Sequence, residues 1–492
     1  MDFNEFERYA ERGNLIPVYR EMLADTETPV SVLSRFADDD NVFLLESVEG
    51  GERFGRYSFI GVRPRKIFTV EGGEAFLASG NEKVPVGRGI MALREVMKGI
   101  RAVEVPGLPP LFGGAIGYLG YETVNDFEEL PPPVTAPPGA TDALLIVDDM
   151  IIFDNLRHTV KLVACAHTDG FSTLREAYDD AVRRIEVLEN LLLTPAKLAA
   201  EPPVEPPRPE SNMSREEFCA MVDKARAAIR AGEAIQIVLS QRFSAPAVSS
   251  PLQLYRALRL VNPSPYTFFF KQGETVLIGS SPETMVKLED GHSSLRPIAG
   301  TRRRGKTPEE DQRLEEELLR DPKECAEHLM LVDLGRNDLG RVAAPGSVEV
   351  RRFMKIERYS HVMHIVSDVE AQLAEGCDAF DLVKATFPAG TLSGAPKVRA
   401  MELIHDFEPA SRGVYGGAIG YFSYTGNLDL AITIRTLEMR DGKISVQAGA
   451  GIVFDSEPDK EYEETLNKAA AIFKTVELAA NGLKLEHDGV AK

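Results

Sequence analysis

The chain has 492 residues, 43% hydrophobic and 27% charged, with a formal net charge of -20 at pH 7. That charge excludes the indiscriminate attraction to nucleic acid or anionic membrane shown by basic proteins. It also obliges any anionic substrate to find a local basic pocket or a cation. The length allows about two to four domains with an ample core.

The first residues, MDFNEFERYAERGN, are charged and contain no apolar signal core. No apolar run approaches about 18 residues, so no membrane span is expected and the cytoplasm is the default location. The cysteines at 165, 219, 325 and 377 form no CxxC pair, which leaves neither a disulfide framework nor a zinc site. Short strands and turns precede a helical stretch, STLREAYDDAVRRIEVLENLLL. The Pro-, Ala- and Glu-rich LTPAKLAAEPPVEPPRPESNMS has no periodicity and reads as a linker. The chain therefore divides into residues 1–192, a linker at 193–212 and a second region at 213–480. SREEFCAMVDKARAAIRAGEA is expected as a capped helix and AIQIVLSQRFSA as an alternating strand. FGGAIGYLGYE (112–122) and YGGAIGYFSYTG (415–426) echo one another. Either Gly-rich strands coincide, or both halves supply matching strands to one core. Strand and helix signals mix without regular βαβ alternation, which favours an α+β fold with antiparallel sheets. The Gly-rich runs match no nucleotide-binding motif.

KECAEHLMLVDL (323–334) is apolar on most sides, so the helix is expected to be buried all round. Buried carboxylates at Glu324 and Glu327 then need a partner or a metal. A second cluster lies in DSEPDKEYEETLNKAAAIFKTVELA, where Glu461, Glu464 and Lys468 share one face. Alone, that face also fits a solvated ion pair. Two ExxE helices together suit a hard cation such as Mg²⁺. In AITIRTLE, Thr433 and Arg435 are expected on one strand face and Ile432 and Ile434 on the other. Arg435 suits bidentate carboxylate recognition or an exposed edge equally. FPAGTLSGAPKV and RPIAGTRRRGK offer small residues and free backbone for an anion. His361 and His364 are both available, and spacing does not choose between them.

Taken in order, IQIVLSQR, NPSPYTFF, SSPE, RPIAGTRRRG, EHLMLVDLGRNDLGRV, VMHIVS, FPAGTLSGAPK and AGAGIVFDSEP…EYEET resemble the chorismate-utilising enzymes, the anthranilate synthase component I branch most closely. The resemblance implies a two-layer sandwich of antiparallel sheets with helices packed outside. It makes Glu327 and Glu464 direct Mg²⁺ ligands, with Glu324 and Glu461 in an outer shell. Tyr415, Arg435 and the backbone of Gly449, Ala450 and Gly451 would hold the enolpyruvyl carboxylate of chorismate. Gly300, Thr301 and Thr391 would line the ring site, with Lys468 near the metal carboxylates. Glu283 would protonate the departing hydroxyl, and His364 rather than His361 would assist the second step.

Two positions discriminate within the family. Gln236 stands where isochorismate and salicylate synthases carry a water-activating lysine, which suits ammonia attack. Ala299 stands where aminodeoxychorismate synthases read PIKGT, which favours the 2-amino product, anthranilate. Aminodeoxychorismate synthase component I and a catalytically idle tryptophan-sensing protein are the alternatives. FLLESVEGGERFGRYSFIG (43–61) resembles the family's feedback segment, and Glu46, Ser47, Pro265, Tyr266 and Thr267 match its tryptophan-binding pocket. L-tryptophan is the implied effector. No Trp occurs in the chain, which suits an enzyme made when tryptophan is scarce. No segment resembles a glutaminase, so ammonia is expected from a separate glutamine amidotransferase subunit, or from free ammonium.

Overall fold

The computed structural model describes residues 1–47, 55–131, 135, 139–198, 200–359 and 362–484. Among them, two twelve-stranded sheets lie face to face, and every pairing between named strands is antiparallel. Alternation sends every second side chain between the sheets. Phe43, Phe268 and Phe270 of the first sheet meet Phe68, Ile116, Leu144 and Leu430 of the second there. Burying each contributes about 2 kcal/mol. One residue out of step, Val42, Leu44, Ile278 and Leu437 point outward and pack under helices with Ala177, Leu254 and Ile472. This is the α+β sandwich with outer helices that the family resemblance implies.

Both sheets take strands from both sides of the linker. Asn41–Glu46 pairs with Tyr266–Gln272 in the first sheet. Gly114–Leu119 pairs with Ala418–Ser423 in the second. The echoed motifs are those last two strands, laid against each other with Gly117 opposite Gly420. The matching segments thus form the middle of one sheet, so residues 1–192 and 213–480 share one core. The linker has no regular structure from 195 to 209 among its described residues, and it is pinned by Val204 N–H to the Ala480 carbonyl at 2.9 Å.

The expected capped helix is Arg215–Arg230, with Ser214 and Glu217 forming a capping box. The first ExxE helix, Pro322–Gly340, is capped by Asp321 and packs on strands Ile298–Arg303 and Val362–Gln372. Its burial differs from expectation. His328, Leu331, Val332, Gly335 and Leu339 form one buried stripe, but Leu329 is 46% exposed. Only one face meets the sheet, so the helix is not buried all round. The second ExxE helix, Pro458–Ala480, lies on strand Lys443–Ile452. AITIRTLE is not one strand either. Leu428–Ile432 belongs to the second sheet and Thr436–Arg440 to the first. The chain crosses between them at 433–435, where Arg435 takes φ +52°.

Candidate active site

Two strands of the first sheet, Gln236–Pro246 and Lys443–Ile452, converge with Ile298–Arg303 and Val362–Gln372 of the second. The two ExxE helices and the 387–392 loop close around them. A cavity of about 560 Å³ lies at this junction. Alternation along Gln236–Pro246 turns Gln236 and Val238 into the cavity, while Ile237 and Leu239 pack outward. The facing strand has Gly449 and Gly451 because nothing larger fits. A Cβ on Gly449 would lie 2.6 Å from the Tyr415 hydroxyl, and one on Gly451 would lie 2.4 Å from Gln236 Nε2.

The cavity gathers most of the residues singled out above: Gln236, Glu283, Gly300, Thr301, Glu327, His364, Thr391, Tyr415, Arg435, Gly449, Gly451, Glu464 and Lys468. Ala299, Ile434 and Pro265 also line it. The crossover kink explains Ile434. A regular strand would turn it away from Arg435, but the positive φ brings both to one wall. Ala450 turns its side chain outward into the helix layer and does not line the cavity. His361 lies outside the described residues.

Electrostatics separates the titratable groups. Burial pushes Glu283 up to about 7, against the opposing pulls of the Thr391 hydroxyl, Lys468 and Arg435. Thr391 Oγ1 donates to Glu283 Oε1 at 2.9 Å. Glu283 can therefore carry a proton near neutrality and give it away. Burial lowers His364, and the Gly300 carbonyl partly offsets this. Its Nδ1 lies 3.0 Å from that carbonyl, which only accepts, so Nδ1 bears the hydrogen and Nε2 is left as a base. Burial also pulls the Arg435 guanidinium below its ordinary value, with Tyr415, Glu283 and Glu464 opposing.

Glu327 is raised by burial, then by Glu324 and Glu464, with Lys323 and the Gln236 side chain opposing. Glu461 is raised by burial and by Glu464. Lys468 Nζ bridges Glu464 Oε1 at 2.7 Å and the Gly449 carbonyl at 2.9 Å. Glu324 instead accepts from Arg302 at 3.2 Å. Among the described residues no three His, Cys, Asp or Glu side chains are gathered for a metal, and no Lys, Arg or His forms an ion pair with Glu327. Repelling carboxylates from two helices, facing one cavity, fit a hard divalent cation.

A second, smaller pocket of about 100 Å³ lies between the sheets, lined by Glu46, Ser47, Pro265, Tyr266 and Thr267 together with Tyr57, Phe59, Tyr421 and Asp429. The Tyr266 hydroxyl donates to Asp429 Oδ1 at 2.9 Å. Glu46 turns its carboxylate the other way, to Tyr255 and Arg259 on the helix side. Residues 48–54 of the feedback-like segment lie outside the described residues.

Several cavity residues carry no signal in the sequence. Tyr359 stands beside His364, with ring centroids 5.6 Å apart, and its N–H donates to the Val362 carbonyl at 2.8 Å. Gln447 is two residues from Gly449 on the same strand face, and that alternation is the one clue to it. His328, next in sequence to Glu327, does not line the cavity but is fully buried against the sheet, paired with Ser367 Oγ at 2.6 Å.

A profile of chorismate binding enzymes matches residues 40–474. The chain belongs to this family. Anthranilate synthase component 1 of Acetivibrio thermocellus is 44% identical over 97% of this chain and 98% of that protein. Its counterpart in Synechocystis is 47% identical over 96% and 98%. Among solved structures of the family, anthranilate synthase component I from Streptococcus pneumoniae superposes with a TM-score of 0.76 at 36% identity, covering 86% of this chain and 95% of that one. The menaquinone-specific isochorismate synthase of Escherichia coli shares the fold at TM-score 0.71 and 18% identity, over 96% and 98%.

Proposed function

We propose that the protein is the chorismate-converting component I of an anthranilate synthase, forming anthranilate and pyruvate from chorismate and ammonia in the first committed step of tryptophan biosynthesis. Near full-length identity to proteins of that name supports the class. The observation that carries the choice of product is the pair of neutral side chains at 236 and 299 on the cavity wall. Gln236 has no base to offer water, and its buried Oε1 has no partner, so it can accept from the N–H of ammonia. Ala299 leaves no lysine for a route to the 4-amino product. Aminodeoxychorismate synthesis and idle tryptophan binding are accordingly not favoured.

Arg435, the Tyr415 hydroxyl and the backbone at 449–451 would orient the enolpyruvyl carboxylate. Glu283, about half protonated at pH 7, would give its proton to the leaving C4 hydroxyl as ammonia bonds to C2. His364 Nε2 would then take the C2 proton as pyruvate departs and the ring becomes aromatic. Glu327 and Glu464 would hold Mg²⁺, with Glu324 and Glu461 behind through water. The ion, when bound, neutralises the ring carboxylate. Lys468, tied to Glu464, would keep that carboxylate aligned.

Within this proposal, residues 213–480 are the catalytic part and 1–192 the regulatory and structural part. The inter-sheet pocket takes L-tryptophan, a glutamine amidotransferase subunit supplies ammonia, and the protein works in the cytoplasm. No described helix is long and apolar enough to cross a membrane. The test is a product assay of the purified protein with chorismate, ammonium and Mg²⁺, with and without tryptophan. Fluorescent anthranilate is expected. Isochorismate or 4-amino-4-deoxychorismate instead would overturn the assignment.

A further inference from the structure

Behind the cavity wall lies a buried ion node that the reaction does not use directly. Arg412 is 2% exposed. Its Nε and one terminal nitrogen donate to the two Glu408 oxygens at 2.8 and 2.7 Å. Two of its three remaining donors reach the Leu392 carbonyl at 2.6 Å and the Val238 carbonyl at 2.7 Å. Its guanidinium lies over two rings, 4.6 Å from the centre of Tyr121 and 5.7 Å from that of Tyr415. Glu408 also accepts from Ser240 N–H and Oγ, both at 2.8 Å, and Ser240 Oγ accepts from Gln447 at 2.8 Å. Glu122 holds the backbone N–H of Arg412 at 2.7 Å and that of Gly413 at 3.1 Å.

Leu392, Val238, Tyr415 and Gln447 all line the cavity, and Arg412 does not. One rigid guanidinium therefore ties together wall segments from a loop, a strand and the Tyr415 turn. A buried ion pair adds little net stability over an apolar replacement of similar volume. Its distinctive product is geometry, because a planar fork with five fixed donors tolerates one arrangement of its acceptors. Tyr121 and Glu122 come from the echoed motif before the linker, so the first region reaches the back of the substrate pocket.

We infer that Arg412, clamped between Glu408 and the Tyr121 ring, is a positioning residue that sets Tyr415 and the adjoining wall for the substrate carboxylate. The inference deepens the proposed function and rests on it. Tyr121 allows a clean test, because its buried hydroxyl has no partner and only the ring meets Arg412.

Chorismate affinity is measured by calorimetry with Mg²⁺ but without ammonium, and KM and kcat are measured with ammonium. Tyr121→Leu removes the ring, and the affinity is expected to fall and KM to rise by about tenfold, with kcat changed less than about twofold. Tyr121→Phe restores the ring and is expected to restore KM. The Arg412→Met/Glu408→Met double variant removes both charges together, and is expected to stay folded at a somewhat lower melting temperature and to show the same KM defect. A folded Tyr121→Leu protein with wild-type affinity overturns the inference, as does an equal defect in Tyr121→Phe. If Tyr121→Leu does not fold, the double variant decides by the same readout. If neither folds, Arg412 is a structural group only and the inference falls. Wild-type protein that binds chorismate but makes no anthranilate sinks the proposed reaction alone, since the affinities still test the node.

Discussion

Glu283 is the residue whose environment has the most direct kinetic consequence. Burial raises it to about 7, and its working form is the protonated one. The fraction able to donate is therefore full well below pH 7 and is lost as pH rises through it. At fixed free ammonia, kcat/KM for chorismate is expected to decline across that interval. Glu283→Gln should remove the decline and lower kcat/KM by about 100-fold. Thr391→Val deletes a hydrogen bond that favours the carboxylate, so it should move the decline to higher pH. A decline that stays in place with either variant would assign it to another group. Glu327 gives a second test. Burial and its neighbours Glu324 and Glu464 already disfavour its charge, so Glu327→Ala should melt at or above the wild-type temperature. It should nevertheless lose Mg²⁺-dependent turnover by about 100-fold or more. Retained turnover would return Glu327 to a structural charge. Glu327 stood out as a candidate because a carboxylate on a largely apolar helix is costly enough to need a reason, whereas the Glu464 face, taken alone, fits the solvated ion pair that it makes with Lys468. Arg435 and Glu283 were not legible from pattern, since nothing in a single Arg or Glu tells burial from exposure. Only the ordered motifs around them supplied a role.

At the scale of elements, the cavity depends on a strand that has no side chains where substrate must pass. Gly449→Ala would drive a methyl into the Tyr415 hydroxyl and the Leu239 carbonyl, 2.6 and 2.9 Å away. Overpacking of this kind costs about 1–3 kcal/mol, and a rise in chorismate KM of about tenfold or more is expected. Steady-state kinetics checks it, and an unchanged KM would mean the strand can shift outward. Alternation and capping made Gln236–Pro246 and Arg215–Arg230 readable in advance. Two elements misled for physical reasons. The first ExxE helix is apolar beyond the face that packs, leaving Leu329 outside. The 433–435 crossover interrupts a perfect alternation, with an arginine rather than a glycine taking the positive φ. Local pattern carries no sign of either, because both are decided by which sheet the next strand joins.

For the whole molecule, the shared sheets make a prediction about cutting the chain. Residues 213–484 alone would expose the edges of Tyr266–Gln272 and Ala418–Ser423, which in the intact protein are paired with strands from before the linker. That fragment is expected to lack near-ultraviolet circular dichroism and a cooperative melt. A cooperative melt would show that the second region carries its own core. The Pro-rich linker marks a change in composition, but composition does not reveal sheet partners, and only the GGAIGY echo pointed to them. The pairing of Gly117 with Gly420 also sets a clock on synthesis. At about 5–20 residues per second, a ribosome needs roughly 15–60 s to deliver the second strand after the first. Through that interval the central strand Gly114–Leu119 waits with one edge unmatched, so nascent chains should lean on chaperones until the last third of the protein has emerged.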